Sequence, residues 1–541
     1  MPLDMLVSGG RIATFAGDSG FGWVEAIGIR DGVVAFAGSA VDLETRADPH
    51  TRRIELEPGE IAMPGIIDAH IHLIDTALAV DHVDLSTAPT LEAAMAIVRA
   101  AAGRIAAPGW LVGFGWDQRR WGVFPSADDL ERVAPGRLVS LWSFDHHSLL
   151  ASRAALAAAA IDATTPDPAG GVIRRGSDGA ADGVLLENAA GLVVDQVPKP
   201  EAEDIRRALM VLGRRLLEVG VVGAHEPGSL AADPSNRILD LYADMAGAGE
   251  LDFRIRAGVQ DDGLDNAIER GLRSGAAIGG SDPARLAMGW LKLFADGTLG
   301  SRTAALLEPL EGGGGTGIFT TPPEVLASLA ARAADAGITT QVHAIGDAAV
   351  RAALDALAPT AGSATYMPRL EHIQLCHPDD RRRFGALGVA ASVQPIHLRE
   401  DAATARRDWG ARAESGGYTW KSLLDAGAVV AFGTDAPVVP IDPWPGIALA
   451  VLRHDPTWGA EVAAFGPHEA VTLEQSLRAA TVGVATTARD KLGGRLIPGS
   501  PADLIVLPAA PRESEDGSER ASWAEVRPRI TMVAGEVAFE R

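Results

Sequence analysis

The chain has almost no cysteine. Cys376 is the only one in 541 residues, which excludes an intramolecular disulfide and any thiolate metal cluster. A bound metal must therefore be held by His, Asp, Glu or a modified side chain. Positive charge is also scarce: 48 Lys and Arg stand against 71 Asp and Glu, a net charge of -23. Nucleic acid and anionic membrane surfaces reward basic patches, so neither is expected as a partner. Lysine is scarcer still. Only Lys199, Lys292, Lys421 and Lys491 occur, so nearly every positive charge is an arginine. No uncharged apolar run is long enough to span a bilayer, and the Ala-rich stretch near residue 155 is interrupted by Arg153 and Asp162. The start, Met1-Pro2-Leu3-Asp4, has no basic region followed by an apolar stretch. No signal peptide is expected, and the expected location is cytoplasmic.

What is present points to a large α/β protein. The chain is too long for one small core, so one large domain plus a second module is expected. The first sixty or so residues alternate short β segments with tight turns, as in Ala26 to Arg30, Asp31-Gly32 and Val33 to Ala37. The last fifty do the same, with Ala502 to Leu507 and a hairpin around Ala534-Gly535-Glu536. The polar, acidic segment from about Ala509 to Ala521 reads as an exposed loop. The two termini are predicted to join in one β-sandwich, residues 1–63 with 491–541. Between them, eight strand-like runs begin at Ile66, Val221, Phe253, Met288, Thr339, Arg369, Val389 and Val429, most of them separated by helical stretches such as Glu324–Ala336 and Ala348–Leu357. That alternation predicts a (β/α)8 TIM barrel over residues 64–490. The gap after strand 1, about 73–219, is too long for a structureless loop and predicts an inserted module.

Polar residues gather where the barrel strands end. Pro64-Gly65-Ile66-Ile67-Asp68-Ala69-His70-Ile71-His72 reads as an apolar strand closing on two histidines one residue apart, and strand alternation puts both on one side. Two converging imidazoles supply half of a tetrahedral metal shell. His343, His372 and Asp435 lie at or just past the ends of strands 5, 6 and 8, and Lys292 lies on strand 4. Singly, each has a plain structural reading as a hydrogen-bonded strand histidine, a turn aspartate or a paired lysine. Jointly, they occupy the rim where such barrels carry their chemistry. In a chain that prefers Arg, a Lys in Leu291-Lys292-Leu293-Phe294 suggests a need for an amine. A neutral amine can add carbon dioxide to become a carbamate that bridges two ions; pairing with a carboxylate is the alternative.

These residues resemble the amidohydrolase superfamily, in particular its YtcJ-like, N-substituted formamide deformylase-like branch (amidohydrolase family 3). The carrying motifs are the 64–72 run, Gly-Trp-Asp-Gln at 115–118, Lys-Leu-Phe-Ala-Asp-Gly-Thr-Leu-Gly-Ser-Arg-Thr-Ala at 292–304, His-Ala-Ile-Gly-Asp-Ala-Ala from 343, Glu-His-Ile-Gln from 371, and Phe-Gly-Thr-Asp-Ala-Pro from 432. The resemblance implies a site for two divalent ions, zinc by default. His70, His72 and Asp435 would hold one, His343 and His372 the other, with carboxylated Lys292 between them. It also implies hydrolysis of a non-peptide C–N bond in a small amide or N-formyl or N-acyl amine by a metal-activated hydroxide, with Asp435 as general base, and a homodimer.

Other residues are candidates for substrate contact. Asp296, Ser301 and Arg302 follow strand 4; Arg302 suits a substrate carboxylate or carbonyl, and an Asp296–Arg302 salt bridge is the equal alternative. Trp116, Asp117, Trp121 and His147 lie in the insertion, as a lid over the substrate or as the insertion's own core. His225 ends strand 2 facing the rim, and Trp444 and Pro437 are expected along one wall. A competing enzyme reading is a mononuclear heterocycle deaminase on the same barrel. A reading of another class is a structural paralogue that has lost its ligands, which the full set of candidate ligands disfavours.

Overall fold

A computed structural model describes residues 2–79, 82–104, 109–143, 148–168, 171–187, 189–229, 233–300, 302–459, 461–508 and 521–541. The acidic linker anticipated from about Ala509 lies outside the described residues. The chain divides into two compact units, Met1–Thr76 with Leu209–Arg541, and Ala77–Ala208.

Eight strands of the first unit form one parallel sheet in chain order. They are Ile66–Asp68, Val221–Glu226, Arg254–Gln260, Leu286–Phe294, Thr340–Ala344, Arg369–His372, Ala390–Val393 and Val430–Phe432, here barrel strands 1 to 8. Helices such as Pro323–Asp335 and Asp347–Leu357 fill the connections, giving the (β/α)8 barrel that the sequence predicts. Strands covered on both faces tolerate little polarity, and all six residues of strand 2 are buried. Strands 1 and 8 share no ladder among the described residues. Separate backbone bonds cross that seam, Ala69 N–H to Phe432 O at 3.0 Å, Asp435 N–H to His70 O at 2.7 Å and His72 N–H to Ala436 O at 3.0 Å.

Register decides which side chains fill the barrel. Lys292 pairs with Gln341 and Gln341 with Arg369; two residues on, Phe294 pairs with His343, His343 with Glu371, and Glu371 with Ser392. Partners directly across a ladder point to the same face, as do residues two apart. Glu371 reaches His70, just past strand 1, and Arg369 reaches His225 on strand 2, and neither strand neighbours strand 6. Both contacts must cross the interior, so these two rings face inward.

Both chain ends contribute to two further sheets. One holds Met5–Ser8, Ala26–Arg30, Val33–Gly38 and Arg52–Glu55; the other holds Arg11–Ala13, Trp23–Val24, Ile61–Pro64, Leu504–Leu507, Ile530–Val533 and Glu536–Glu540. Val7, Ile27, Ile29 and Ile54 of the first share a core with Ile12, Leu504, Val506 and Met532 of the second. Each such side chain contributes about 1.5–3 kcal/mol by burial. The second unit has its own six-stranded sheet, from Val83–Asp84 to Gly171–Arg175, and its own apolar clusters. No helix among the described residues is long and apolar enough to cross a membrane.

Candidate metal centre

Barrel strand 1 ends at Asp68, so His70 and His72 stand in the bend beyond it rather than on the strand. Strand alternation therefore does not explain their convergence. The cause is a junction with the end of strand 8. The Asp68 carboxylate accepts from His70 N–H at 3.0 Å, from Thr434 N–H at 3.0 Å and from the Thr434 hydroxyl at 2.6 Å. Burial raises Asp68 to about 6 against those bonds. Gly433 allows the approach: a Cβ there would stand 2.5 Å from His70 N. The two imidazoles then meet edge to face, 5.3 Å between centroids.

Around them the ends of strands 5, 6 and 8 add His343, His372 and Asp435. Ligand atoms of His70, His372 and Asp435 all lie within 4.8 Å of one another. Asp435 Oδ1 is 3.4 Å from His70 Nε2 and 3.5 Å from His72 Nε2, and Oδ2 is 3.9 Å from His372 Nδ1. The His343 and His372 rings are 4.5 Å apart. His372 directly follows inward-facing Glu371, so regular alternation would turn it away from the interior. A left-handed backbone, φ 73° at His372 and 48° at Ile373, re-aims it; Asp435 is left-handed too, at 69°. Such conformations cost about 1–3 kcal/mol each and concentrate at functional sites. Lys292 is 1% exposed, with its ammonium 4.9 Å above the Phe294 ring. Burial lowers it to about 8.

The donor set fits a cation. His70 Nδ1 donates to Glu371 at 2.7 Å, His72 Nδ1 to Gly228 O at 2.9 Å, and His343 Nε2 to Gly297 O at 3.0 Å. Those acceptors fix the tautomers and orient the other nitrogen of each ring; for His72 that nitrogen faces Asp435. His70 Nε2 and His372 Nδ1 are buried and have no hydrogen-bond partner in the protein. Burial, with help from Lys292, brings His70 down to about 4 and His343 to about 3, so both are neutral at neutral pH. Burial would raise Asp435, but His70 and its neighbours hold it well below the usual carboxylate range. Burial would lower His72, but its contacts with Asp435 shift it upward, so His70, His343 and His372 are the neutral imidazoles beside an ionised carboxylate that a divalent ion of the zinc type requires.

Behind the cluster lies a buried support that the sequence reading did not assign. Arg369 Nε lies 2.7 Å from Glu371 Oε1, and Arg369 also donates to Gln341 Oε1 at 3.0 Å. Its guanidinium sits 4.1 Å over Trp290. Burial alone would raise Glu371, yet Arg369 and His70 hold it at about 2. His225, anticipated at the rim, is in this layer instead: its Nδ1 accepts from Arg369 at 3.0 Å and its ring packs on Trp290. His397 was also not anticipated. It ends a single turn, Pro395–His397, past strand 7. Its Nε2 is 3.6 Å from Asp435 Oδ2 and its ring stacks on His372 at 5.9 Å. The available signal was Gln394-Pro395-Ile396-His397, directly after the one strand end between His372 and Asp435 that had no candidate.

The remaining candidates separate. Asp296 is buried and accepts three backbone N–H groups, from Ala305, Ile345 and Gly346 at 2.8–3.0 Å; burial still raises it to about 7. Arg302 forms no pair with Asp296. It makes a two-pronged contact with Asp408, at 3.0 and 2.9 Å, so its guanidinium is already engaged. Ser301 and His147 lie outside the described residues. Trp116 is fully buried in the core of the inserted unit, donating to Leu141 O at 2.8 Å, and Trp121 donates to Ala88 O. Asp117, next to Trp116, is half-buried. Trp444 is buried, donating to Val219 O at 2.9 Å.

Comparison with known proteins agrees with this architecture. The model of a family described as amidohydrolase matches residues 58–539. The chain is 28% identical over 522 residues to the putative amidohydrolase YtcJ of Bacillus subtilis, covering 96% of each. It is 27% identical over 569 residues to the N-substituted formamide deformylase of Arthrobacter pascens, covering 99% of this chain and 98% of that one. A solved structure, an uncharacterized metal-dependent hydrolase from Pyrococcus horikoshii, superposes with a TM-score of 0.77 at 24% identity, covering 95% of this chain and 99% of the other.

Proposed function

This chain belongs to the amidohydrolase family, and from that premise we propose that it is a metal-dependent hydrolase of a non-peptide C–N bond in a small amide, with an N-formyl or N-acyl amine as the substrate class. The observation that carries the reading is the convergence of His70, His72 and His372 on Asp435, with His70 Nε2 and His372 Nδ1 buried and satisfied by nothing in the protein. His70, His72 and Asp435 would hold one ion and His343 and His372 a second, with zinc the first candidate. When bound, such an ion acidifies water and polarises a carbonyl.

In this reading Lys292 joins the two halves. As a neutral amine it can take up carbon dioxide, releasing one proton and gaining two carboxylate oxygens. Its lowered pKa of about 8 favours that form more than an exposed lysine would. Asp435 is the candidate base: its carboxylate takes a proton from the attacking water and returns it to the leaving nitrogen. A C–O bond forms, the C–N bond breaks, and the products are a carboxylic acid and an amine. Glu371 and Gly228 O keep His70 and His72 turned toward Asp435 throughout.

Metal analysis of the purified protein, followed by a screen of N-formyl and N-acyl amines, tests the reading. Stoichiometric divalent metal and amine release, abolished in Asp435→Asn, are expected. Activity that survives both that substitution and metal removal would sink it. Release of ammonia from heterocyclic amines would favour the one-metal deaminase, which draws support from one close trio of ligand atoms, His70, His372 and Asp435, among the described residues.

A further inference from the structure

Ser392 pairs in register with inward-facing Glu371, so Ser392 faces the barrel interior and Gln394, two residues on, continues that face toward the rim. Gln394 is 2% exposed, yet its carboxamide nitrogen and oxygen both lack a hydrogen-bond partner in the protein. A carboxamide offers two donors and an acceptor, and burying all of them unmatched costs free energy that a ligand with the complementary pattern recovers. One turn later His397, tied back by its N–H to Gln394 O at 3.1 Å, presents a buried, unpartnered Nε2 at 3.6 Å from Asp435 Oδ2. That distance fixes the turn beside the reacting carboxylate. His397 is absent from the trio of mutually close ligand atoms, although it neighbours two of its members.

We propose that the turn from Gln394 to His397 is a substrate-reading element that selects secondary amides. Gln394 Oε1 accepts the N–H of the scissile amide, and His397 Nε2 faces its carbonyl oxygen. The inference rests on the amide-hydrolase reading above and narrows it: an amide that keeps its N–H is preferred to one whose nitrogen is fully substituted. A missing hydrogen bond to a buried polar group is penalised more than a missing apolar contact, which makes this a strong discriminator.

The test uses the metal-loaded full chain, formanilide and N-methylformanilide as probes, and three readouts: kcat/KM, probe binding and metal content. Wild type is expected to prefer formanilide by roughly 10- to 100-fold. Gln394→Met, close in volume and apolar, should lose most of that preference and keep its metal. His397→Asn should lower kcat/KM on both probes alike, leaving their ratio near the wild-type value. An unchanged ratio in Gln394→Met, or loss of metal from it, overturns the inference while leaving the amide-hydrolase reading intact. No turnover of either probe, with equal binding of both, removes the formamide reading and this inference together.

Discussion

Replacing Glu371 with glutamine isolates what holds the centre up from behind. The substitution keeps the shape and an oxygen that can accept from His70 Nδ1, and removes only the charge. Arg369 then keeps a fully buried guanidinium without the carboxylate that pairs with it. Removing one partner of a buried ion pair costs about 3–5 kcal/mol. The acid itself leads to a similar figure: held at about 2 against an ordinary 4.5, ionised Glu371 favours the folded chain by about 3 kcal/mol at neutral pH. Because its pKa is depressed on folding, this contribution is complete above 4.5 and is lost as pH falls toward about 2. Urea unfolding followed by tryptophan fluorescence should therefore show Glu371→Gln less stable by about 3–5 kcal/mol at pH ~7, with the gap narrowing at pH ~3. Metal affinity should fall by about 10- to 100-fold, since His70 loses a charged partner. A stability loss below about 1 kcal/mol, or a gap of the same size at both pH values, would refute the account of Arg369 and Glu371 as a mutually dependent pair.

Gly433→Ala drives a methyl group to 2.5 Å from backbone, His70 N. It should lower thermal stability by about 1–3 kcal/mol and reduce metal content in the same preparation, whereas a stable, fully loaded variant would show that the seam tolerates side chains. Lys292→Arg keeps the charge but cannot form a carbamate, so metal analysis should find the second ion lost; full occupancy in that variant would assign Lys292 a structural role. Chelation of the loaded protein should lower its melting temperature, because a ligand present at 100 times its Kd stabilises by about 2.7 kcal/mol. An unchanged melting curve after verified metal removal would contradict binding at this cluster.

Sequence pattern revealed the barrel because parallel strands buried on both faces leave unbroken apolar runs. Val221–Glu226 emerges with the ends it has in the structure. Most candidate ligand positions were legible for a related reason: each falls at or just past such a run. Local geometry was not. The bend that holds His70 and His72 depends on Asp68 meeting Thr434, a contact between the two ends of the barrel sequence. His372 escapes alternation through a left-handed φ, which no periodicity encodes. His225 was expected at the rim because nothing local announces Arg369 as its partner. Arg302 finds Asp408 in a later helix, and Asp296 spends itself on backbone N–H groups.

The seam between the first and last barrel strands carries a consequence for how the molecule closes. It is the longest-range join in the barrel, and among the described residues separate backbone bonds and the Asp68–Thr434 contact hold it in place of a ladder. His70 and His72 stand on one bank and Asp435 on the other. An ion gripped by all three would therefore be a rivet through the join, and would make the costliest loop closure of the barrel depend on metal supply. The same contacts that would set up a water for attack would then decide whether the cylinder stays shut, so loss of the ion would loosen strands 1 and 8 before the strands opposite.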